Sequence, residues 1–213
     1  MKNNCFIAVS GNIGAGKTTW TNMLARHFNI TAYFEKVKEN PYLDDFYRDM
    51  KRWAFQSQIF FLTQRFNSHL EIQARNQDCV LDRTIYEDSE IFARNLFNQE
   101  LMSKRDFQSY YDLYETMLKV IRYPDLLIYL KAPVAGLLER IQMRNRDCER
   151  SIPETYLAEL NTAYDAWIKK MEPITKVIII DTDDFNFFQD RDKTGNILKS
   201  IEAALTKIRS AVG

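Results

Sequence analysis

The amino-acid sequence predicts one α/β domain over residues 1–213, in which helices flank a five-stranded parallel sheet. A chain of 213 residues suits one domain, and 46% hydrophobic residues can fill a core. Short β-rich runs, most of them apolar throughout, alternate with long stretches of helical periodicity. This alternation is typical of a parallel sheet whose strands are buried on both faces.

Strands are predicted at five short runs, namely Cys5–Ser10, Thr31–Glu35, Cys79–Asp82, Leu126–Lys131 and Lys176–Asp181. The clearest helix is predicted at Trp53–Arg75, because its apolar side chains recur every three or four residues. Other helices are predicted at Lys17–Phe28, Ile85–Phe97, Arg105–Arg122, Val134–Arg144, Glu154–Met171 and Thr194–Ile208. The highly charged segment 144–151 lies between two predicted helices, and the acidic, aromatic segment 181–193 is predicted to be a loop.

Composition narrows the class of partner and the cellular location. A formal net charge of zero disfavours a polynucleotide partner, since such proteins usually carry a basic excess, and favours a small molecule. Three scattered cysteines, Cys5, Cys79 and Cys148, indicate reduced thiols in a cytoplasmic protein rather than disulfides or metal ligands. The chain lacks a long apolar run, so neither a signal peptide nor a membrane span is expected.

A phosphate-binding motif follows the first predicted strand. Residues 11–18 read GNIGAGKT, which matches G-x-x-x-x-G-K-[ST]. The glycines let successive N–H groups point at an anion, and the helix that follows adds its positive N-terminal end. Lys17 can reach the β- and γ-phosphates, and the Thr18 hydroxyl can bind Mg²⁺. The motif predicts a nucleoside triphosphate binder, which includes GTPases and mechanical ATPases as well as kinases.

Acidic side chains end two of the predicted strands, at the edge of the sheet where ligands bind. Asp82 can hold Mg²⁺ directly or through water, and the neighbouring Arg83 can neutralise phosphoryl oxygens. An Asp-Arg pair on the surface is the alternative. Glu35 can accept the proton of an attacking hydroxyl group, or it can be a solvated strand end.

Three arginines and a long helix supply further candidates. Arg140, Arg144 and Arg146 can form a lid that stabilises a transferring phosphoryl group, or a solvated basic helix end. Gln58 and Arg65 lie two turns apart on nearly one helix face, and a Gln amide can pair with the edge of a base. Aromatic side chains such as Phe92 can stack on that base or pack in the core.

Several segments in this order resemble the deoxynucleoside kinase family, which includes deoxycytidine, deoxyguanosine and deoxyadenosine kinases. The resemblance runs nearly end to end, through GNIGAGKTT, YFEKVKENPYL, DDFYRDMKRWAFQSQ, LDRTIYEDSEIFA, YPDLLIYL, RIQMRNRDCERSIPETYL and IIIDTDDF. It is greatest with the bacterial deoxyadenosine kinases. It implies a P-loop kinase fold with an arginine-rich lid at about 144–151. The implied reaction is ATP-dependent phosphorylation of the 5′-hydroxyl of a deoxynucleoside, which yields its 5′-monophosphate.

The resemblance implies roles at the sugar of the acceptor. Glu35 corresponds to the general base on the 5′-hydroxyl, although Lys36 stands where many members have proline. Tyr47 and Glu149 correspond to the pair that holds the 3′-hydroxyl.

It also implies roles at the base of the acceptor. Gln58 corresponds to the amide that reads the base, and Phe92 to the aromatic ring that stacks on it. Arg65 and Asp88 correspond to a coupled pair at the back of the base pocket. This pair should crowd the methyl group of thymine, so we expect a purine deoxynucleoside, with deoxyadenosine first.

The expected catalytic residues are Glu35 on the acceptor side, with Lys17 of the phosphate loop and Arg83 on the donor side. Arg83 belongs to a Glu/Asp-Arg-Ser motif, here with Thr84 in place of serine. Thr18 and Asp82 are the expected Mg²⁺ ligands. The expected ATP-binding residues are Gly11, Asn12, Ile13, Gly14, Ala15, Gly16, Lys17, Thr18, Thr19, Arg140, Arg144, Arg146, Asp184 and Phe185.

Two other functions stay open. A nucleoside monophosphate kinase of the thymidylate kinase type would share the motif and the sheet, but it needs cations for its acceptor's phosphate. Glu35, Tyr47 and Glu149 suit a neutral sugar instead. A nucleotide-dependent switch with slow turnover is disfavoured by the many candidate catalytic groups. A homodimer is implied by the resemblance alone.

Overall fold

The computed structural model describes residues 4–146, 149, 152–183 and 190–212. Within these residues, a sheet is formed by β1 (Phe6–Gly11), β2 (Thr31–Tyr33), β3 (Cys79–Asp82), β4 (Leu126–Lys131) and β5 (Lys176–Asp181). Its order is β2-β3-β1-β4-β5, and every neighbouring pair is parallel. The predicted five-stranded parallel sheet is therefore confirmed.

Helices connect the strands, as the alternating pattern predicts. They are α1 (Lys17–Phe28), α2 (Leu43–Arg48), α3 (Met50–Arg75), α4 (Ile85–Glu87), α5 (Arg94–Asn98), α6 (Lys104–Leu118), α7 (Val134–Arg144), α8 (Glu154–Met171) and α9 (Arg191–Val212). A 3₁₀ turn lies at Val37–Glu39, and a π-helical segment at Asp88–Ala93 joins α4 to α5 without a break. None of the helices in the described ranges is long and apolar enough to cross a membrane.

Burial differs between the centre and the edges of the sheet. Every residue of β1 and β3 is buried, as expected for strands covered on both faces. The apolar run of β5 indicates the same burial, but Ile179 is 52% exposed. The reason is position, because β5 is an edge strand that pairs with β4 alone. At the other edge, β2 ends at Tyr33, two residues earlier than predicted.

The sequence pattern missed the short helix α2. Its six residues make less than two turns, so they show no clear periodicity. Burial of Leu43 and Phe46 against the core holds it in place. The next helix, α3, begins at Met50 rather than at the predicted Trp53, since the Asp49 side chain caps it by accepting from the Arg52 amide at 3.1 Å.

The parallel strands bring their carboxyl ends to one edge of the sheet. Gly11 ends β1 there, Asp82 ends β3, and Glu35 lies two residues beyond β2. A side chain at Gly11 would come within 2.8 Å of the Leu130 carbonyl oxygen, so the chain can leave the sheet here only with glycine. The fold thus gathers the candidate residues at the edge expected for ligand binding.

Candidate active site

A cavity of about 660 Å³ opens at the carboxyl edge of the sheet, between the phosphate loop, α2, α3 and α7. The predicted site residues that line it are Ile13, Gly14, Gly16, Lys17, Thr18, Thr19, Glu35, Tyr47, Gln58, Arg83, Asp88, Phe92, Arg140, Arg144, Arg146 and Glu149. Others are buried behind this lining, namely Gly11, Asn12, Ala15, Arg65 and Asp82. Asp184 and Phe185, predicted beside the ATP adenine, lie outside the described residues, as do lid residues 147, 148, 150 and 151.

The phosphate loop has the backbone that the motif predicts. Gly14 and Gly16 have φ angles of 83° and 92°, in the left-handed region that favours glycine. A side chain at Gly14 would come within 2.7 Å of the Leu137 carbonyl oxygen. The loop therefore packs against α7, while its amide groups and the first turn of α1 border the cavity.

Lys17 is a buried cation at the base of this loop. Its ammonium group donates to the Asn12 carbonyl oxygen at 2.9 Å. Burial and the nearby Arg83 lower the pKa of Lys17 to about 8. At neutral pH the group still carries its charge, so it can bind the phosphates of a nucleotide.

Thr18 and Asp82 form a pair that fits Mg²⁺. The Thr18 hydroxyl donates to Asp82 Oδ2 at 2.6 Å, while Asp82 Oδ1 is buried without a hydrogen-bond partner among the described residues. Burial raises the pKa of this carboxyl group, although Lys17 opposes the shift. The described ranges contain no group of three or more His, Cys, Asp or Glu side chains that could together hold a metal ion. This sparse set of oxygen atoms suits Mg²⁺, which usually takes one or two protein ligands together with water and phosphate oxygens.

Glu35 lies between two arginines. Its Oε1 atom is 2.6 Å from Arg65 Nη2 and 3.6 Å from Arg83 Nε. Burial by itself raises the pKa of Glu35, but Arg83, Arg65 and Lys17 outweigh it and lower the pKa to about 2. The carboxylate is therefore ionised throughout the neutral range and lines the cavity beside the phosphate loop.

Arg65 joins Glu35 to a second carboxylate, Asp88. Its Nε atom lies 3.1 Å from Asp88 Oδ2, and both side chains are almost fully buried. Burial raises the pKa of Asp88, against the effect of Arg65 and Arg83. The resemblance predicts the pairing of Arg65 with Asp88, but the additional bond to Glu35 was not predicted.

Gln58, Arg83 and Phe92 also line the cavity. Gln58 is 3% exposed and lines the cavity, and its Oε1 atom has no hydrogen-bond partner in the described structure. The guanidinium of Arg83 lies over the Phe92 ring, 4.3 Å from its centre. Arg83 also has a φ angle of 69°, a strained backbone that is uncommon outside glycine and asparagine and clusters at functional sites.

Two of the three predicted lid arginines pair with Glu149. Arg144 forms an ion pair with one carboxylate oxygen, and Arg146 Nη1 lies 3.1 Å from the other. Arg140 instead donates to the side-chain and backbone oxygens of Thr182, at 3.0 and 2.6 Å. Glu149 is buried, so its charge is balanced by these arginines.

Sequence reasoning missed part of the cavity wall. The missed lining residues are mostly apolar, namely Val37, Leu43, Phe46, Phe61, Met143 and Tyr156. A signal exists for Phe61, which lies one helical turn beyond Gln58 and therefore on the same face. No sequence signal points to Phe46 or Leu43, because the helix that carries them, α2, was not predicted.

Comparisons with known proteins show the family to which the chain belongs. The family model described as deoxynucleoside kinase matches residues 7–206. A deoxyadenosine/deoxycytidine kinase of Bacillus subtilis is 36% identical over 206 residues, covering 95% of this chain and 94% of the relative. A deoxyadenosine kinase of Dictyostelium discoideum is 42% identical over 179 residues, covering 84% of this chain and 73% of the relative.

Among solved structures, a deoxyadenosine kinase from M. mycoides with bound dCTP superposes with a TM-score of 0.79 and 29% identity. The match covers 92% of this chain and 99% of that chain. The fold is thus the P-loop kinase fold that the resemblance predicts. The family match over residues 7–206, together with these identities, shows that the chain belongs to the deoxynucleoside kinase family.

Proposed function

We propose that this enzyme transfers the γ-phosphoryl group of ATP to the 5′-hydroxyl of a deoxynucleoside, with deoxyadenosine as the preferred acceptor. One observation carries the proposal. Glu35 is an ionised carboxylate in the same cavity as Lys17 and the phosphate loop. A base beside a phosphate site supports transfer to a hydroxyl group.

In the proposed reaction, the 5′-oxygen attacks the γ-phosphorus, the bond to the bridging oxygen breaks, and ADP leaves. Glu35 accepts the proton of the hydroxyl group. Lys17 and Arg83 offset the negative charge on the transferring group, with Arg144 and Arg146 supplied by the lid. Bound at Thr18 and Asp82, Mg²⁺ would supply further charge neutralisation. Positioning and electrostatics account for most of the rate enhancement in such reactions.

Acceptor choice is proposed to depend on the end of the cavity formed by Gln58, Arg65 and Asp88. Gln58 offers a donor and an acceptor to a base edge, and its Oε1 atom lacks a partner in the described structure. The names of the relatives support deoxyadenosine, since two of those most similar are a deoxyadenosine/deoxycytidine kinase and a deoxyadenosine kinase. A deoxyguanosine kinase of Bacillus subtilis is 34% identical over 185 residues, so deoxyguanosine is the main competitor.

We also propose a cytoplasmic homodimer. Leu70 on α3 and Leu113 on α6 are 39% and 38% exposed, and exposed apolar side chains on neighbouring helices support contact with a second copy. Light scattering tests this, because a monomer has a mass of 25.2 kDa and a dimer twice that mass. A monomer at micromolar concentration would contradict the proposal.

The function is tested by ATP consumption with each of the common deoxynucleosides, and with dAMP and dTMP, at one low concentration. Fastest turnover with deoxyadenosine and none with the monophosphates is expected. Turnover with a monophosphate alone would overturn the roles proposed for Glu35, Tyr47 and Glu149. Fastest turnover with thymidine would contradict the role of the Arg65–Asp88 pair.

A further inference from the structure

A buried carboxylate with no part in the proposed chemistry lies directly behind the phosphate loop. Glu87, the last residue of α4, has no exposed surface. Its Oε1 atom accepts from the Ser10 hydroxyl at 2.7 Å and from the Thr84 amide and hydroxyl at 2.8 and 3.1 Å. Its Oε2 atom accepts from the Tyr164 hydroxyl at 2.9 Å and the Gly11 amide at 3.4 Å. A carboxylate surrounded by so many donors has one well-defined position.

These donors come from three separate parts of the chain. Ser10 and Gly11 end β1 and begin the phosphate loop, Thr84 follows Arg83, and Tyr164 lies in the middle of α8. One side chain therefore connects the phosphate loop, the turn that carries Arg83, and the helix that follows the lid.

The same carboxylate restrains the strained backbone of Arg83. The Arg83 amide donates to the Val9 carbonyl oxygen at 3.0 Å, and the next amide, that of Thr84, donates to Glu87. The left-handed conformation of Arg83 is thus held from both sides. Strain of this kind persists only where the surrounding contacts impose it.

A second set of bonds between α8 and the loop supports the same arrangement. Asn12 donates through its amide to the Leu157 carbonyl oxygen at 2.9 Å and to Asn161 Oδ1 at 2.8 Å. Asn161 in turn donates to the Ala132 carbonyl oxygen at 2.9 Å, just beyond β4. Leu157, Asn161 and Tyr164 are spaced by four and three residues, so they lie on one face of α8.

Helix capping alone does not account for these contacts. Glu87 and Thr84 form a capping box at the start of α4, which needs only the bonds made between those two residues. The other carboxylate oxygen points away from the cap, toward Gly11 and Tyr164. A surface-exposed glutamate would serve the cap equally well, whereas this one is completely buried.

We propose that Glu87 is a positioning residue that fixes the phosphate loop relative to Arg83 and α8, so that bound ATP lies in line with the acceptor hydroxyl. The proposal rests on the proposed function, since it assumes that ATP binds at the loop. Glu87 is completely buried, so its effect must reach the ligand through Ser10, Gly11 and Arg83.

Glu87→Gln tests the proposal with little change in shape. The amide oxygen must stay at the Oε1 position, because the Thr84 backbone amide there can only donate. The new NH₂ group then faces the Gly11 amide, which also can only donate, so Gly11 loses its acceptor. An unpaired buried donor at the first glycine of the loop should raise the Kd for ATP about tenfold. The Kd for deoxyadenosine, measured by the same calorimetry, should stay within about twofold of its normal value.

Glu90→Gln is the matched control. Glu90 lies one turn further along the same continuous helix, accepts from the Tyr111 hydroxyl at 2.9 Å and pairs with Arg94 at 3.7 Å. It has similar local contacts but none with the phosphate loop. We expect its ATP and deoxyadenosine Kd values to match those of the unmodified protein, whatever the change in melting temperature.

The outcomes distinguish a failure of the proposed function from a failure of the positioning role of Glu87. If the unmodified protein binds no ATP, the proposed function fails. If it binds ATP and Glu87→Gln binds equally well, the positioning role of Glu87 is wrong and the proposed function stands. If Glu87→Gln does not fold, Ser10→Ala takes its place, since it removes one hydroxyl from the same carboxylate. That variant should weaken ATP binding about threefold, and an unchanged Kd would overturn the inference.

Discussion

The two ends of the cavity hold their charged groups in different ways. At the phosphate end, the Lys17 ammonium donates to a backbone carbonyl oxygen, and Asp82 keeps one buried oxygen without a partner in the described structure. At the end proposed for the nucleoside, Glu35 and Asp88 are both paired with Arg65, and Glu149 is paired with Arg144 and Arg146. Lys17 and Asp82 at the phosphate end can therefore interact with a charged ligand, whereas the charged side chains at the other end already neutralise one another.

This difference matches the two proposed substrates. A polyphosphate with its cation needs protein charges that are not already neutralised by one another. A neutral sugar and base need hydrogen-bonding groups held in place, and paired side chains hold each other in place without attracting an anion. Substitutions at either end of the cavity can test this difference, and their expected effects differ in size.

The largest effect on stability is expected from Arg65→Met. The substitution leaves Glu35 and Asp88 in a buried site without their shared partner, which should lower the free energy of unfolding by about 3–5 kcal/mol. Arg75→Met is the control, since Arg75 pairs with Glu71 at 2.5 Å on the same helix but is half exposed. That change should cost less than about 1 kcal/mol. Urea unfolding measures the free energy of unfolding of both variants. Equal losses would show that the buried ion pairs contribute no more to stability than the exposed pair of Arg75 and Glu71.

Lys17→Met should give the largest loss of activity. Removing the cation that is proposed to contact the β- and γ-phosphates should lower kcat/KM for ATP by roughly 10³-fold. The Kd for deoxyadenosine should change little, because the nucleoside end keeps all of its ion pairs. Initial rates and calorimetry give the two values. A comparable loss of nucleoside affinity would show that the two ends are not independent.

Glu35→Gln should lower kcat by roughly 10²-fold, since the amide cannot accept the proton of the hydroxyl group. Substrate affinity should be nearly intact, because the amide has almost the shape of the carboxylate. Glu39→Gln is a suitable control, since Glu39 is exposed and pairs only weakly with Lys36 at 3.6 Å. Turnover of Glu35→Gln near that of the control would rule out Glu35 as the base.

The smallest effect concerns pH. The lowered pKa of Lys17, about 8, means that the free protein loses this cation as the pH rises through 8. The ATP Kd should therefore increase roughly eightfold between pH 7.5 and 9, a range in which the phosphates of ATP stay ionised. The deoxyadenosine Kd should change little over this range, since the pKa of Glu35 is about 2 and that of Asp88, about 7, also lies below it. In Lys17→Arg the increase should disappear, because a guanidinium keeps its charge.

Sequence reasoning succeeded where neighbouring residues act together. The phosphate loop is one continuous segment, so its glycines, Lys17 and Thr18 could be assigned from spacing alone. The ligand edge of the sheet was also predictable, since Glu35 and Asp82 follow apolar runs that form parallel strands. The roles of Tyr47, Gln58, Arg65 and the other acceptor residues rested on resemblance to a family and stay predictions.

Other features depend on packing that no local pattern reveals. Helix α2 is too short for a periodic signal, and it forms because Leu43 and Phe46 are buried. Arg65 and Glu35 lie 30 residues apart, so their ion pair appears only in the folded chain. Glu87 looks like an ordinary helical residue in the sequence, and apart from the nearby Thr84 its donors come from two distant segments.

By itself, the sequence determined the parallel sheet, the phosphate loop and the family, because each follows from local spacing or from several motifs in order. The tertiary structure alone decided which charges are neutralised and which are not. The sequence does not reveal the partners of Lys17, Glu35, Arg65, Asp88 and Glu87. In the folded chain these are, in that order, a carbonyl oxygen, two guanidinium groups, two carboxylates, one guanidinium group and a set of neutral donors. A buried charge is stable only with such partners, and distant parts of the chain supply them only when it folds.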